Sequence, residues 1–219
     1  MGKKEAGSVS IIGGADGPTS IFLIGGQGSK RTLKQKIQKE IFTLRKRRIA
    51  KSLKANPHTM EQVIAYAKNK WGYTAIIKES EEYKMEYVQM RAAFILQHSP
   101  ELLGKFKDYP QLKGRDEDSI NHFMMLINQR QKAAEDIPIE LFDIDLCIME
   151  MKEAEFTSKL ILEKKYGYIG ASASGESNKA MKKHHRVFRD VYQYYGVTQT
   201  DIDNQTKRYD ELLRTLAAR

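Results

Sequence analysis

The sequence contains one cysteine and no long hydrophobic run, and each shortage excludes a class of protein. Cys147 is the only cysteine among the 219 residues, so an internal disulfide and a cysteine-cluster metal site are both excluded. A lone thiol within an apolar run indicates a reducing, cytoplasmic compartment. No stretch of 18 uncharged apolar residues occurs, so the sequence predicts no transmembrane helix.

Recognisable catalytic and cofactor motifs are also missing. The N-terminal glycines are not followed by the Gly-Lys-Ser/Thr of a Walker A loop, and they do not have the spacing of a dinucleotide-binding fingerprint. The Glu-x-x-His pairs of a di-iron bundle are absent as well. The sequence therefore favours a non-enzymatic protein. It identifies no catalytic residue and no cofactor, and it predicts no metal site.

Positive charge is concentrated in one segment near the N-terminus. The formal net charge is +9, and eleven lysines and arginines lie between residues 30 and 54, where Glu40 is the only acid. The rest of the chain is therefore close to neutral. This distribution predicts one strongly basic helix rather than a chain that is basic throughout.

The basic helix, predicted over about 30–55, has two apolar faces and one basic face. We call Leu33, Ile37, Ile41 and Leu44 the first stripe, and Phe42, Ile49 and Leu53, on the nearly opposite face, the second stripe. The basic ridge falls within an arc of about 100° and contains Lys36, Lys39, Lys46, Arg47 and Lys54. The ridge is a candidate phosphate-backbone contact for nucleic acid, with an acidic protein or lipid surface, or a solvated helix face, as the alternatives.

The stretch SIIGGADGPTSIF (Ser10–Phe22) is the segment richest in turn-forming residues. Short apolar runs at Val9–Ile12 and Ile21–Ile24 flank it, which predicts a β-hairpin with an Asp-Gly turn. Exposed backbone N–H groups, a carboxylate and hydroxyls suit a small ligand or ion. The predicted ligand-binding residues are Gly13, Gly14, Asp16, Gly17, Thr19 and Ser20. The free strand edges predict self-association or pairing with a partner chain.

This stretch resembles a segment of the membrane-embedded β subunit of sodium-pumping, biotin-dependent decarboxylases. In that family the segment interrupts the membrane helices, and the aspartate that matches Asp16 is implicated in sodium binding. The resemblance implies that Gly13, Gly14, Gly17, Pro18 and Thr19 open the backbone around the ion. Because the match covers only Ser10–Phe22 and the remainder lacks membrane spans, it implies a related binding loop and not a pump.

The remainder of the chain is dominated by helical patterns. Thr59 and Gln62 form a capping-box pattern, and the helix that follows is predicted to end at Gly72. Further helices are predicted over 116–134 and, after Pro138, over 139–166. Residues 167–177 are predicted to be a small-residue linker, with a phosphate-gripping loop as the alternative, before a C-terminal αα-hairpin at about 174–218.

Together these patterns predict a mainly α fold, a bundle of about seven helices with a short N-terminal β-hairpin. Residues 1–28 form the glycine-rich segment and residues 29–219 the soluble helical domain. The leading functional hypothesis is a binding or accessory protein that engages a ligand or partner chain through its N-terminal loop. The alternatives are nucleic-acid binding through residues 30–54, and an enzyme that uses the loop as a phosphate or carboxylate cradle.

Overall fold

The computed structural model describes residues 33–114, 116–153, 156–175 and 177–218, without the side chains of residues 34–36 and 178. Within these ranges it contains seven α-helices, a 3-10 helix and four strands. In chain order they are α1 (Leu33–Ser52), α2 (Met60–Trp71), β1 (Thr74–Ala75), α3 (Glu81–His98), the 3-10 helix (Pro100–Phe106), α4 (Glu117–Glu135), β2 (Leu146–Glu153), β3 (Phe156–Glu163), β4 (Tyr168–Gly175), α5 (Asn178–Tyr195), α6 (Gln199–Asn204) and α7 (Lys207–Ala217).

The predicted helical bundle with an N-terminal β-hairpin is wrong. The chain is rich in helix, but its strands form a four-stranded antiparallel sheet in the order β1-β2-β3-β4. Three of these strands lie between residues 146 and 175, where the sequence predicted a helix over 139–166 and then a linker. The predicted hairpin at Val9–Ile12 and Ile21–Ile24 lies outside the described residues.

The predicted helix over 139–166 covers two strands, β2 and β3, that differ in how clearly they show the strand period. Phe156, Ser158, Leu160 and Leu162 are buried, and the residues between them are half-buried, which is the two-residue period of a strand. The preceding strand, β2, carries apolar residues on both faces, so that part of the segment matches a buried helix equally well.

The turn after β3 is closed by a buried carboxylate. Glu163 accepts hydrogen bonds from the backbone N–H groups of Lys165 at 3.1 Å and Tyr166 at 2.6 Å. Gly167 follows with a φ of +69°, a conformation that glycine adopts without steric strain. The chain thereby reverses into β4, and Leu160 is placed opposite Ala171 in the antiparallel register.

The chain forms two compact units. The first contains the described residues from 33 to 75 and from 147 to 218. Helix α5 packs on β3 and β4 and also contacts α2 and α7, and α1 packs against α7. The core of this unit includes Val63 and Ala67 of α2, Leu160 and Leu162 of β3, Val187 and Val191 of α5, and Leu212 of α7.

The second unit, residues 76–146, is built around the contact between α3 and α4. Two buried arginines hold backbone carbonyl groups within it. Arg91 donates to the carbonyl oxygens of Phe142, at 2.7 Å, and Ile137. Arg130 donates to those of Phe106 at 2.9 Å and Lys107 at 3.0 Å. A buried guanidinium group needs such acceptors, because leaving its donors unsatisfied would be costly.

Local helix signals were read correctly from the sequence. Thr59 and Gln62 form the predicted capping box at the start of α2, and Gly72 ends that helix in the left-handed conformation. The helix predicted over 116–134 corresponds to α4, which Asp116 caps by accepting a hydrogen bond from the backbone N–H of Ser119 at 2.9 Å. These signals depend only on neighbouring residues, which is why the sequence was sufficient for them.

Candidate functional site

The predicted N-terminal ligand site lies outside the described residues. This applies to Gly13, Gly14, Asp16, Gly17, Thr19 and Ser20, and to the whole decarboxylase-like stretch. The binding role of the loop and its resemblance therefore stay predictions. The remaining candidate residues lie in the first unit.

The residues of the basic ridge have different surroundings. Lys39, Arg47 and Lys54 are exposed, whereas Lys46 forms an ion pair with Asp210 of α7. The same carboxylate also pairs with Arg214, at 2.6 Å. Lys36 lies in α1, and its side chain is outside the described part. Lys46 thus helps to attach α1 to α7, and the other described ridge residues are available to a partner.

The two apolar stripes of α1 also differ in their surroundings. In the second stripe, Phe42 and Ile49 are half-buried, and Leu53 packs against the core of the first unit. The four residues of the first stripe are between 41 % and 74 % exposed. In the described part of the chain, four aliphatic side chains are therefore left partly in contact with water along one face.

Beyond the first stripe, the outward face of α1 becomes cationic. Arg47, Arg48 and Lys51 are all exposed, and on a regular helix they fall within an arc of about 100° that overlaps the direction of the first stripe. We call these three residues the cationic end. The first stripe and the cationic end therefore form one surface of α1, which is apolar along its first part and positively charged along its last part.

A groove adjoins the cationic end. Its volume is about 450 Å³, which is within the usual size of a small-molecule site. Polar and charged side chains line part of it: Ser52, Lys54, Asn56, Arg189 and Gln193. The other lining residues are Ile49, Leu53, Gly196, Leu212 and Leu216. The groove therefore combines two cations and two amides with an aliphatic wall.

A close backbone crossing forms one side of the groove. The backbone N–H of Asn56 donates to the carbonyl of Val197 at 3.0 Å, and that of His58 donates to the carbonyl of Tyr195 at 3.1 Å. A Cβ atom on Gly196 would lie 2.0 Å from the carbonyl oxygen of Asn56, so only glycine fits there. The crossing joins the segment after α1 to the end of α5.

Arg189 is positioned by the residue that follows it. Asp190 accepts hydrogen bonds from Tyr66 and Trp71, both at 2.8 Å, and pairs with Lys70 at 3.0 Å. Burial favours the neutral acid, but these donors outweigh it and hold the pKa of Asp190 below its usual range. Asp190 thereby anchors α5 to α2, while Arg189 is directed into the groove.

A buried Tyr–Ser–His chain lies in the core of the same unit. The Tyr73 and Ser158 hydroxyls are 2.6 Å apart, and Ser158 Oγ is 2.8 Å from His184 Nδ1. Burial, with a smaller contribution from His185, lowers the pKa of His184 to about 4. Ser158 has no exposed surface, so a substrate does not reach its hydroxyl in this conformation. This arrangement satisfies polar groups inside the core.

The described residues contain no group of three or more His, Cys, Asp or Glu side chains arranged to hold a metal ion. Within the same ranges, no helix has both the length and the apolar composition needed to cross a bilayer.

Comparison with known proteins identifies no relative. No protein-family model matches the chain, and the curated proteins and solved structures that were compared with it yield no significant match.

Sequence reasoning missed the groove. Its walls come from the end of α1, the end of α5 and α7, and the end of α1 is more than a hundred positions from the other two along the chain. Arg189 lies in a helical pattern like any other exposed arginine, and no motif links it to Lys54. Only the packing of α1 and α5 on α7 brings these two side chains to the same groove.

Proposed function

We propose that the protein binds the surface of an anionic lipid bilayer through α1. One observation supports this proposal above the others: exposed aliphatic side chains and exposed cations follow each other on the same outward face of one helix. Helices that bind anionic membrane surfaces use exposed apolar side chains and exposed cations, usually on opposite faces; in α1 the two follow each other along one face.

The first stripe provides the apolar contact. It extends about 16 Å along the helix axis, since each residue of an α-helix rises 1.5 Å. Transfer of the exposed part of each aliphatic side chain out of water contributes roughly 1 kcal/mol. Four such side chains stabilise shallow insertion, and this contribution is too small to hold the protein at a neutral membrane on its own.

The cationic end provides the electrostatic contact. Each lysine or arginine close to an anionic leaflet contributes about 1 kcal/mol, and salt screens this attraction. Within the described part of the chain, Arg47, Arg48 and Lys51 form no ion pair that would have to be broken first. Because the first stripe and the cationic end contribute similar amounts to the binding free energy, we expect reversible binding to the membrane that requires both of them.

The first stripe favours a lipid surface over nucleic acid. Contacts with a phosphate backbone use cations and gain nothing from four exposed aliphatic residues. Pairing of two α1 helices through the first stripe would bring together two segments that each carry ten net positive charges over residues 30–54. Charge complementarity therefore favours an anionic surface over a second copy.

The test measures binding of the full chain to vesicles of phosphatidylcholine with and without phosphatidylserine. The apolar variant carries Ile37→Ser, Ile41→Ser and Leu44→Ser, and the cationic variant carries Arg47→Gln, Arg48→Gln and Lys51→Gln. The charge-matched control carries Lys68→Gln, Lys179→Gln and Lys182→Gln, three exposed lysines of α2 and α5. We expect each α1 variant to lose at least roughly tenfold in affinity for anionic vesicles, with the control little changed.

Three results would contradict the proposal. Equal binding of the apolar variant and the native chain would show that insertion plays no part. Binding to single- or double-stranded DNA that the cationic variant loses and the apolar variant keeps, without vesicle binding, would favour nucleic acid. A dimer in solution that only the apolar variant abolishes, again without vesicle binding, would assign the first stripe to self-association.

A further inference from the structure

We infer that the groove beside the cationic end binds a single anionic lipid molecule, with its phosphate headgroup between Lys54 and Arg189 and its first acyl carbons against the aliphatic wall. The inference rests on the proposed function for the source of the ligand. It goes further in assigning a site and a ligand class: an amphiphile with a phosphate monoester headgroup.

Two cations from different elements point to a phosphate. Lys54 follows α1 and Arg189 belongs to α5, and both line the groove. Neither forms an ion pair with the described part of the chain. The planar guanidinium of arginine matches two phosphate oxygens at once, and the lysine ammonium adds a compact point charge. A phosphate monoester carries close to two negative charges, which the positive charges of Lys54 and Arg189 would balance.

The amides extend the polar end of the groove. Asn56 and Gln193 line it beside the two cations, and their side chains make no hydrogen bond to the residues that the structure describes. Each amide presents donors and an acceptor, so the pair suits ester or hydroxyl oxygens next to a phosphate.

The aliphatic wall distinguishes a lipid from a free phosphate. Ile49, Leu53 and Leu216 are partly exposed, and Leu212 lies behind them at 1 % exposure. A soluble phosphate would leave this wall in contact with water. The first carbons of an acyl chain would cover it, and burial of that apolar area would add to the affinity.

The frame of the groove is held in place before any ligand binds. Asp190 fixes α5 next to Arg189 through three side-chain donors. The crossing at Gly196 and Asn56 fixes the opposite side. A site that is already ordered loses less conformational freedom on binding, which favours affinity from few contacts.

The experiment titrates the full chain with dihexanoyl phosphatidic acid below its micelle concentration, and follows binding by calorimetry. Glycerol 3-phosphate tests the headgroup alone, inorganic phosphate tests the anion alone, and dihexanoyl phosphatidylcholine tests the chains without the monoester. The groove variant carries Lys54→Gln and Arg189→Gln. The charge-matched control carries Lys68→Gln and Lys182→Gln, which lie outside the groove.

We expect saturable binding of dihexanoyl phosphatidic acid that is roughly tenfold or more tighter than binding of glycerol 3-phosphate, because only the lipid contacts the aliphatic wall. The groove variant should lose roughly tenfold or more in affinity and the control should not. The inference is overturned by equal affinity for the lipid and for inorganic phosphate. Loss of affinity in the control that equals the loss in the groove variant, or no binding at all, overturns it too.

The two proposals fail in different ways. The apolar variant of α1 should lose vesicle binding and keep its affinity for dihexanoyl phosphatidic acid, since its substitutions lie outside the groove. Vesicle binding by a protein that does not bind the short-chain lipid overturns only the groove inference. Binding of the short-chain lipid by a protein that ignores anionic vesicles overturns only the membrane proposal.

Discussion

The two apolar stripes of α1 consist of similar side chains and have opposite surroundings. Leu53 of the second stripe packs against the core of the first unit, while Leu44 of the first stripe is 62 % exposed. Both stripes follow helical spacing, and the sequence makes them look equally suited to a protein core. The difference shows that periodicity identifies a face able to bind something, and that only the neighbouring elements decide whether the fold itself occupies it.

The largest expected loss of stability comes from truncating a core side chain on which the second stripe packs. Leu212 of α7 is 1 % exposed and belongs to the core on which α1 packs, so Leu212→Ala should reduce the free energy of unfolding by about 2–5 kcal/mol. Urea denaturation measures the loss. The matched control, Leu44→Ala, removes the same atoms from the first stripe and should change stability by less than about 0.5 kcal/mol. Similar losses in both variants would contradict the described difference between the stripes.

The core of the first unit, which contains buried His184, should also lose stability in acid. The pKa of His184 is about 4 in the folded protein and 6.5 without burial, so the unfolded chain binds a proton between these values and the folded chain does not. The contribution of neutral His184 to the free energy of unfolding is therefore fully present above pH 6.5 and is lost as the pH is lowered towards 4. The total loss is on the order of 3 kcal/mol.

Denaturation at a series of pH values measures this effect. A His184→Gln variant should lose most of the slope between these pH values, whatever its overall stability. A His185→Gln variant, altered at the half-buried neighbour, should keep most of it. An unchanged slope in the His184 variant would show that another group is responsible.

The smallest expected effect concerns the ion pair that joins α1 to α7. Asp210 pairs with Lys46 and Arg214 at the surface, and partly exposed ion pairs contribute only about 0–1 kcal/mol. Asp210→Asn should therefore destabilise the protein by less than about 1 kcal/mol. The difference should shrink in high salt, because salt screens exposed charges. A larger, salt-independent loss would mean that the carboxylate has a packing role.

The candidate surface was readable from the sequence only in part. The basic segment, the two stripes and the cap signals at Thr59 and Gly72 depend on residues close together in the chain, and the structure confirms the caps. The strand β2 was not readable, because apolar residues on both of its faces hide the two-residue period, and β3 was assigned to the same predicted helix. The small residues of β4 matched a linker equally well, since alanine, serine and glycine specify no single element.

The sequence by itself determined a charge distribution, a helix with two apolar faces and a chain able to bury a core. The tertiary structure decided which face α7 covers, that Lys46 is paired with Asp210, and that Lys54 and Arg189 line one groove. The physical reason is that burial and pairing depend on contacts between residues far apart in the chain. Local patterns set which contacts a segment favours, and the packing of distant elements sets which of them form.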